Sequence, residues 1–297
     1  MNTSLPRSVC TLVAFTAALA GGCAREHPAK IVVGSKFFTE QVVLAELLAQ
    51  HIEARTGIPV ERKTNLGGTL LVQKAMLAGG LDLYVEYTGT ALTAVLNETP
   101  QGDSKSVYER VKKEYAERFG LAVSEPLGFE NTFAMVIRGE DAKKFNVQKL
   151  SDIAVFAPKW RAGVGYEFLE RPDGFNGLCE RYNLKFGEKP RVMDLGLIYR
   201  ALVDHQVDVV AGNSTDGMIS ALGLVTLEDD RHYFPPYDAV PVVRKAALER
   251  FPALRGALAE LAGKVSAADI REMNYAVDGL HREPAAVVSG FRKAKGL

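Results

Sequence analysis

The chain has 297 residues, of which 47% are hydrophobic and 24% charged, a composition typical of a globular protein with two domains of roughly 100 to 150 residues each. Its 36 basic side chains balance 36 acidic ones, so the formal net charge is zero. Because the sequence has no basic block or stripe, it lacks the electrostatic footprint of a nucleic-acid-binding protein, and we exclude nucleic acid as a partner.

The N-terminal residues have the pattern of a targeting segment. Arg7 is followed by an apolar run at 9–19, which is too short to span a bilayer, and then by small residues before Cys23. This pattern resembles a bacterial lipoprotein signal, although Ala20 stands where that signal more often has Leu; ordinary signal-peptide cleavage is the alternative. We expect residues 1–22 to be a signal peptide, Cys23 to be lipidated, and residues 23–29 to be a tether. The mature protein would then be membrane-anchored, in the periplasm or at the cell surface.

From Lys30 onward, predicted strands alternate with predicted helices, the pattern of parallel sheets covered by helices. Apolar residues recur at helical spacing in the first helix, for which Thr39 is the predicted N-cap. In chain order we predict a strand at 31–33, a helix at 40–54, a strand at 59–63, a helix at 69–78 and a strand at 81–87.

The middle of the chain repeats this order, and the C-terminal part is mainly helical. We predict strands near 133–138 and 154–157, a helix at 195–203, and strands at 207–211 and 239–243. Two helices follow, the last beginning with a capping box at Ser266 and Asp269 and ending near Gly279. Because no third sheet follows, the C-terminal segment should return to the first domain. We therefore predict an α/β protein with one lobe from residues 30–130 plus 238–297, a second from 131–237, and a cleft between them.

The sequence shows no constellation typical of catalysis or of metal binding. We find no paired nucleophile and base, no carboxylate pair and no phosphate-binding loop, and the five histidines lack metal-ligand spacing. The Gly67-Gly68-Thr69 sequence at a helix start could hold an anion through backbone N–H groups, or could simply form a tight turn. We expect no enzymatic activity, no metal and no cofactor.

The segments that follow predicted strands are short, polar and aromatic. In open α/β sheets, ligands bind beyond the carboxyl ends of the strands, here at residues 34–38, 87–90, 213–217 and 234–237. Aromatic faces attract cations, and basic side chains such as Lys36 and Arg171 can hold a carboxylate. This combination suits a small zwitterion, although each aromatic residue taken alone is more typical of the core than of a ligand site.

An ordered series of motifs covers nearly the whole chain after the tether and resembles the osmoprotectant-binding proteins of ABC importers, those for glycine betaine, carnitine and choline. The motifs are GSKFFTEQ at 34–41, NLGGT at 65–69, EYTGT at 86–90, LGFENTF at 127–133, FLERPDG at 168–174, TDG at 215–217 and FPPY at 234–237. The resemblance implies a type II periplasmic-binding-protein fold whose two lobes close on the ligand. It also implies an ABC permease with its ATPase as partner, and a receptor that works as a monomer.

The resemblance further implies which residues bind the ligand. Aromatic walls would enclose a quaternary ammonium group, while basic and hydroxyl groups would face a carboxylate. By motif, the aromatic walls would be Tyr87, Tyr237 and Phe133, and Phe133 stands where the family commonly has Tyr. The groups facing the carboxylate would be Lys36, Thr90 and Arg171. The predicted set of ligand-binding residues is completed by Asn131 and Asn213.

Asn213 is the largest departure from the family pattern, because many betaine-binding members have an aromatic residue there. An amide supplies no cation–π attraction, which is worth about 0.5 to 2 kcal/mol per contact. The site would then bind a quaternary ammonium compound less tightly, or bind a different polar solute such as an amino acid or a substituted amine. A ligand sensor on the same scaffold is a further alternative.

Overall fold

The computed structural model describes residue 1, residues 29–99 and residues 102–297. The predicted signal peptide, Cys23 and the tether up to residue 28 lie outside the described residues. Within the described part of the chain, no helix combines the length and the apolar character needed to cross a membrane.

The strands form two five-stranded sheets, ordered β2-β1-β3-β10-β4 and β7-β6-β8-β5-β9. We call the part built on the first sheet the first lobe and the part built on the other the second lobe. The strands are β1 (Ile31–Gly34), β2 (Val60–Lys63), β3 (Leu83–Tyr87), β4 (Leu121–Val123), β5 (Phe133–Arg138), β6 (Ala162–Val164), β7 (Arg191–Val192), β8 (Val209–Asn213), β9 (Leu224–Thr226) and β10 (Ala239–Arg244).

Both sheets are mixed, so the parallel pairing indicated by the alternation of strands and helices holds for only part of each sheet. β10 runs antiparallel to β3 and β4, and β5 runs antiparallel to β8 and β9. The chain passes between the sheets twice, after β4 and after β9, and β5 and β10 are the first strands after these crossings. After each crossing the chain enters the new sheet at the end that faces the cleft, where β3 and β8 finish. The strands β10 and β5 therefore run in the direction opposite to β3 and β8.

The helices are α1 (Thr39–Thr56), α2 (Thr69–Leu77), α3 (Thr88–Thr90), α4 (Ser104–Arg118), α5 (Gly139–Phe145), α6 (Tyr166–Glu170), α7 (Phe175–Tyr182), α8 (Ile198–Val203), α9 (Met218–Ala221), α10 (Lys245–Arg250), α11 (Ala253–Ala259), α12 (Ala267–Asp278) and α13 (Pro284–Lys295). A π-helical turn at Ala91–Val95 continues α3, and a 3-10 helix lies at Leu150–Val155.

Three local predictions are wrong. The segment at 154–157 was predicted as a strand, but it begins within the 3-10 helix, and the strand of this region is β6. The start of the 3-10 helix is stabilised by Asp152, which accepts hydrogen bonds from the backbone N–H groups of Gln148 and Lys149 at 2.9 Å. The cap of α1 is Phe38 rather than Thr39, whose hydroxyl donates to Asp278 at 2.6 Å instead. After β10 the chain forms α10 to α13 rather than two helices.

The first lobe is completed by the C-terminal helices. The apolar face of α1 is fully buried and shares one core with strands of the first sheet and with residues of α11, α12 and α13. Leu254, Ile270 and Val288 contribute to this core beside Ile31 and Leu47. The predicted lobe boundaries near residues 130 and 237 stay a prediction.

Candidate functional site

A cavity between the two lobes has all eight of the predicted ligand-binding residues in its lining, namely Lys36, Tyr87, Thr90, Asn131, Phe133, Arg171, Asn213 and Tyr237. Tyr87 ends β3, Asn213 ends β8, and Lys36 lies two residues after β1, so the cavity lies at the carboxyl ends of these strands. Sequence reasoning did not single out several other lining residues, although two of them, Phe37 and Phe38, lie in the segment 34–38 predicted at the cleft; the others are Glu167, Phe168 and Leu195. Most of them flank or belong to the quoted motifs, which was the available signal.

The first lobe contributes two stacked aromatic rings. The rings of Phe38 and Tyr87 lie 6.4 Å apart between centroids, with an angle of 21° between their planes. The phenol of Tyr87 donates a hydrogen bond of 2.6 Å to Glu40, which holds the ring in place. The ammonium nitrogen of Lys36 lies 5.1 Å from the centroid of the Tyr87 ring, so this ring already faces a side-chain cation.

The second lobe contributes Phe133, at the centre of an aromatic cluster. Its ring centroid lies 4.6 Å from that of Phe168 and 6.0 Å from those of Phe234 and Tyr237. The guanidinium carbon of Arg171 lies 4.9 Å from the Phe133 centroid. Both lobes therefore pair an aromatic wall with one of the protein's own cations.

Lys36 forms a buried ion pair with Glu86; neither side chain is more than 2% exposed. Glu86 also accepts hydrogen bonds from the backbone N–H of Tyr87 at 2.7 Å and from the phenol of Tyr84 at 3.1 Å. An ammonium group has three N–H donors, and Glu86 accepts from one of them. Lys36 thus keeps donors for a ligand, while its charge is balanced within the protein.

Arg171 uses its guanidinium fork on Asp173 rather than presenting it to the cavity. Nε donates to Asp173 at 2.8 Å, Nη2 donates to the same carboxylate, and Nη1 donates to the hydroxyl of Thr90 at 3.0 Å. Burial opposes the charge of Arg171, but the contact with Asp173 outweighs burial and raises the pKa of Arg171 above its ordinary value. Burial by itself would raise the pKa of Asp173, but the contact with Arg171 outweighs it and holds that pKa below its ordinary value. One Nη1 N–H remains for a ligand, because Nη2 also donates to Thr93 at 3.4 Å.

Asn213 is held by Asp216, three residues further along the chain. Its backbone N–H and its side-chain amide donate to Asp216 Oδ2 at 3.0 and 3.3 Å, and the phenol of Tyr199 donates to the same oxygen at 2.6 Å. Burial raises the pKa of Asp216 to about 7, the hydrogen bonds from Tyr199 and Asn213 oppose this shift, and the charge of Glu40 adds to it. The side chain of Asn213 is therefore positioned from within the second lobe.

Among the polar contacts that join the two lobes around the cavity are three hydrogen bonds from different segments of the chain. Glu167 of the second lobe accepts a hydrogen bond of 2.6 Å from the backbone N–H of Thr69, at the start of α2. The sequence at 67–69 was predicted either to hold an anion or to form a tight turn. In the structure the carboxylate of Glu167 takes the place of such an anion at the start of α2. The other contacts join Arg171 to Thr90 and the hydroxyl of Thr215 to Glu40. This is a closed arrangement of the lobes.

A comparison with known protein families decides the class of protein. Residues 29–294 match the family described as the substrate binding domain of an ABC-type glycine betaine transport system. The chain belongs to this family. The match confirms the family predicted from the motifs, and with it the role of substrate-binding component of an ABC transporter, an extracytoplasmic class of protein that works with a permease and an ATPase.

Relatives of this substrate-binding family have different ligands in their names. The chain is 35% identical over 293 residues to the carnitine transport binding protein OpuCC of Listeria monocytogenes serotype 1/2a (strain 10403S), covering 98% of this chain and 92% of that protein. It is 34% identical to the ergothioneine transport permease/ergothioneine binding protein EgtU of Helicobacter pylori (strain G27), covering 90% of this chain and 48% of that longer protein.

A solved structure of the same family confirms the fold. It is described as a glycine betaine/carnitine/choline ABC transporter, and it superimposes with a TM-score of 0.75 at 32% identity, covering 90% of this chain and 99% of that one. The predicted architecture of two α/β lobes around a central cleft is therefore correct.

Other reactive groups lie apart from the cavity. Within residues 29–99 and 102–297, no three His, Cys, Asp or Glu side chains are grouped so that they could hold a metal ion. Cys179 in α7 is half-buried, and burial raises the pKa of its thiol to about 11, so the thiol stays protonated at neutral pH.

Proposed function

We propose that this receptor captures a small solute with a quaternary ammonium group, such as glycine betaine, choline or carnitine, by closing its two lobes around it. The observation that carries the proposal is that aromatic side chains from both lobes, Tyr87 with Phe38 and Phe133 with Tyr237, line a single cavity. A trimethylammonium group has no N–H to donate, so π faces are the partners that it can use. Phe133 serves this purpose without the hydroxyl of a tyrosine.

The polar end of the solute would lie beside Lys36, Thr90 and Arg171. Lys36 keeps ammonium donors beyond its bond to Glu86, and Arg171 keeps one Nη1 N–H. These groups are enough for a carboxylate or a hydroxyl. Because Asp173 occupies the fork of Arg171, we expect single hydrogen bonds rather than a bidentate pair.

The alternative is the same receptor role for a different polar or zwitterionic solute, such as an amino acid or a substituted amine. Asn213 places an amide where an aromatic wall was expected, and its contact with Asp216 orients it. The carnitine-binding and ergothioneine-binding relatives are almost equally similar to this chain, so overall identity does not select the ligand. A ligand-sensing role on the same scaffold is a further candidate.

We also infer how the receptor is deployed. It would act as a monomer, held to the membrane by a lipid on Cys23, and deliver its solute to an ABC permease without catalysing a reaction. The lipoprotein-like pattern of the N-terminal residues supports the anchor, and family membership supports the delivery role. Labelling of cells with a radioactive fatty acid would test the anchor, since Cys23→Ser should remove the label.

Titration calorimetry tests the ligand. The protein beginning after Cys23 is unfolded and refolded to remove bound solutes, then titrated with glycine betaine, choline, carnitine and common amino acids. We expect saturable binding of a trimethylammonium compound, weakened about tenfold or more in Tyr87→Ala because a desolvated cation–π contact is lost.

The controls separate the site from the fold. Arg200→Ala changes a side chain that is 83% exposed and should bind like the unaltered protein. Binding of amino acids but not of betaines would select the alternative ligand class. A folded protein that binds none of these compounds would overturn the proposed ligand and leave the family membership standing.

A further inference from the structure

Glu40, in the first turn of α1, lies behind the aromatic wall of the first lobe and outside the lining of the cavity. Its side chain is buried, and four donors hydrogen-bond to its carboxylate: the phenol of Tyr87 at 2.6 Å, the amide of Asn131 at 2.9 Å, the amide of Asn274 at 3.0 Å and the hydroxyl of Thr215. Among the described residues that donate to Glu40, none is basic. Neutral donors therefore provide the only direct stabilisation of this carboxylate.

The four donors come from different parts of the fold. Tyr87 ends β3 and Asn274 belongs to α12, so both move with Glu40 in the first lobe. Thr215 follows β8 and belongs to the second lobe. Opening of the cleft would withdraw the hydroxyl of Thr215 from the carboxylate and leave Tyr87 and Asn274 in place.

The loop that carries Thr215 is shaped to dock on α12. The amide of Asn274 donates to the backbone carbonyl of Thr215 at 3.0 Å as well as to Glu40. A Cβ atom on Gly217 would lie 2.5 Å from Cβ of Tyr275, so only glycine permits this close approach. The Thr-Asp-Gly sequence at 215–217 thus makes a contact between the lobes.

We propose that Glu40 is a positioning residue for solute capture, which links lobe closure, through Thr215, to the placement of the aromatic wall Tyr87. The same carboxylate receives Thr215 only when the lobes meet, and it holds the Tyr87 phenol at the edge of the cavity. Burial raises the pKa of Glu40 above its ordinary value, and the hydrogen bonds from Thr215, Tyr87, Asn274 and Asn131 oppose this shift. Without the hydroxyl of Thr215 the buried carboxylate is less well stabilised, so the hydrogen bond that forms when the lobes meet favours closure.

The proposal rests on the proposed function only in that a solute is captured by closure. Thr215→Val keeps the shape of the side chain and removes the hydroxyl, and Thr215→Ser keeps the hydroxyl. A hydrogen bond to a buried charged group changes an equilibrium by about tenfold or more. With glycine betaine, choline or carnitine as probe, we expect Thr215→Val to raise the dissociation rate constant about tenfold, with little change in the association rate constant, and Thr215→Ser to stay close to the unaltered protein.

A double-mutant cycle tests the link to Glu40. If Thr215 acts through the carboxylate of Glu40, Thr215→Val should weaken binding less in a Glu40→Gln background than in the unaltered protein, because a hydrogen bond to a neutral amide is weaker than one to a carboxylate. Additive losses would overturn the proposal. Should Glu40→Gln fail to fold, the Val and Ser variants of Thr215 still decide the matter.

A measurement that needs no ligand separates this proposal from the proposed function. Spin labels on Lys113→Cys and Lys143→Cys, exposed positions in α4 and α5, report the distance between the lobes in a Cys179→Ser background. We expect Thr215→Val to reduce the ratio of closed to open molecules about tenfold. Distance distributions identical to those of Thr215→Ser would overturn the role of Glu40, whereas failure of the unaltered protein to bind any probe would overturn only the proposed ligand.

Discussion

Replacing Asp216 with asparagine should remove much of the pH dependence of stability near neutrality. Burial raises the pKa of Asp216 from 3.8 to about 7, against the opposing hydrogen bonds from Tyr199 and Asn213, and the charges of Glu40 and Asp278 add to the shift. The folded protein therefore keeps a proton that the unfolded chain has released. The stabilisation is fully present below the unfolded pKa and is lost as pH rises through about 7.

The magnitude follows from the shift. Stability changes by about 1.36 kcal/mol per pH unit wherever Asp216 is protonated in the folded protein and ionised in the unfolded chain. Between pH 5 and pH 8 this holds up to the folded pKa of about 7, a span of about two pH units. Asp216 should thus make the free energy of unfolding about 3 kcal/mol smaller at pH 8 than at pH 5, and Asp216→Asn should abolish this component.

Urea unfolding at a series of pH values measures this effect. Asp204→Asn, a change at an exposed position in the same lobe, is the matched control and should follow the unaltered protein. If the curve for Asp216→Asn runs parallel to that of the unaltered protein between pH 5 and pH 8, the argument from burial is refuted.

Two further substitutions test the packing behind the site and the second lobe. In Gly89→Ala the new Cβ would lie 2.7 Å from the ring of Tyr237, so we expect a loss of about 1–3 kcal/mol in unfolding free energy and weaker solute binding. Gly256→Ala is the control, because its new Cβ would meet no atom within 4 Å beyond its chain neighbours and the local backbone of its own helix, and it should cost nothing measurable. Arg138→Ala leaves Asp141 as a buried, unpaired charge and should cost about 3–5 kcal/mol in urea unfolding, so a loss below about 1 kcal/mol would contradict the buried ion pair.

Local patterns determined much of the secondary structure and the location of the cleft. The apolar periodicity of α1 predicted a helix at 40–54, and the structure has Thr39–Thr56; β5 was predicted near the residues it occupies. The eight residues chosen by motif line one cavity because the strand ends of both lobes face the cleft between them. The 3-10 helix at Leu150–Val155 was missed because a short apolar run fits a strand equally well.

Only the tertiary structure decided how the charged groups of the site are used. Sequence reasoning assigned the cations Lys36 and Arg171 to a ligand, but folding brings Glu86 and Asp173 onto them. Glu40 escaped notice because its partner Thr215 lies 175 residues away along the chain, and no local pattern connects the two. The sequence by itself therefore determined most of the helices and strands and the family to which the chain belongs. The pairing of Lys36 with Glu86, 50 residues apart, and the contacts that hold the lobes together depend on distant segments meeting in the folded protein.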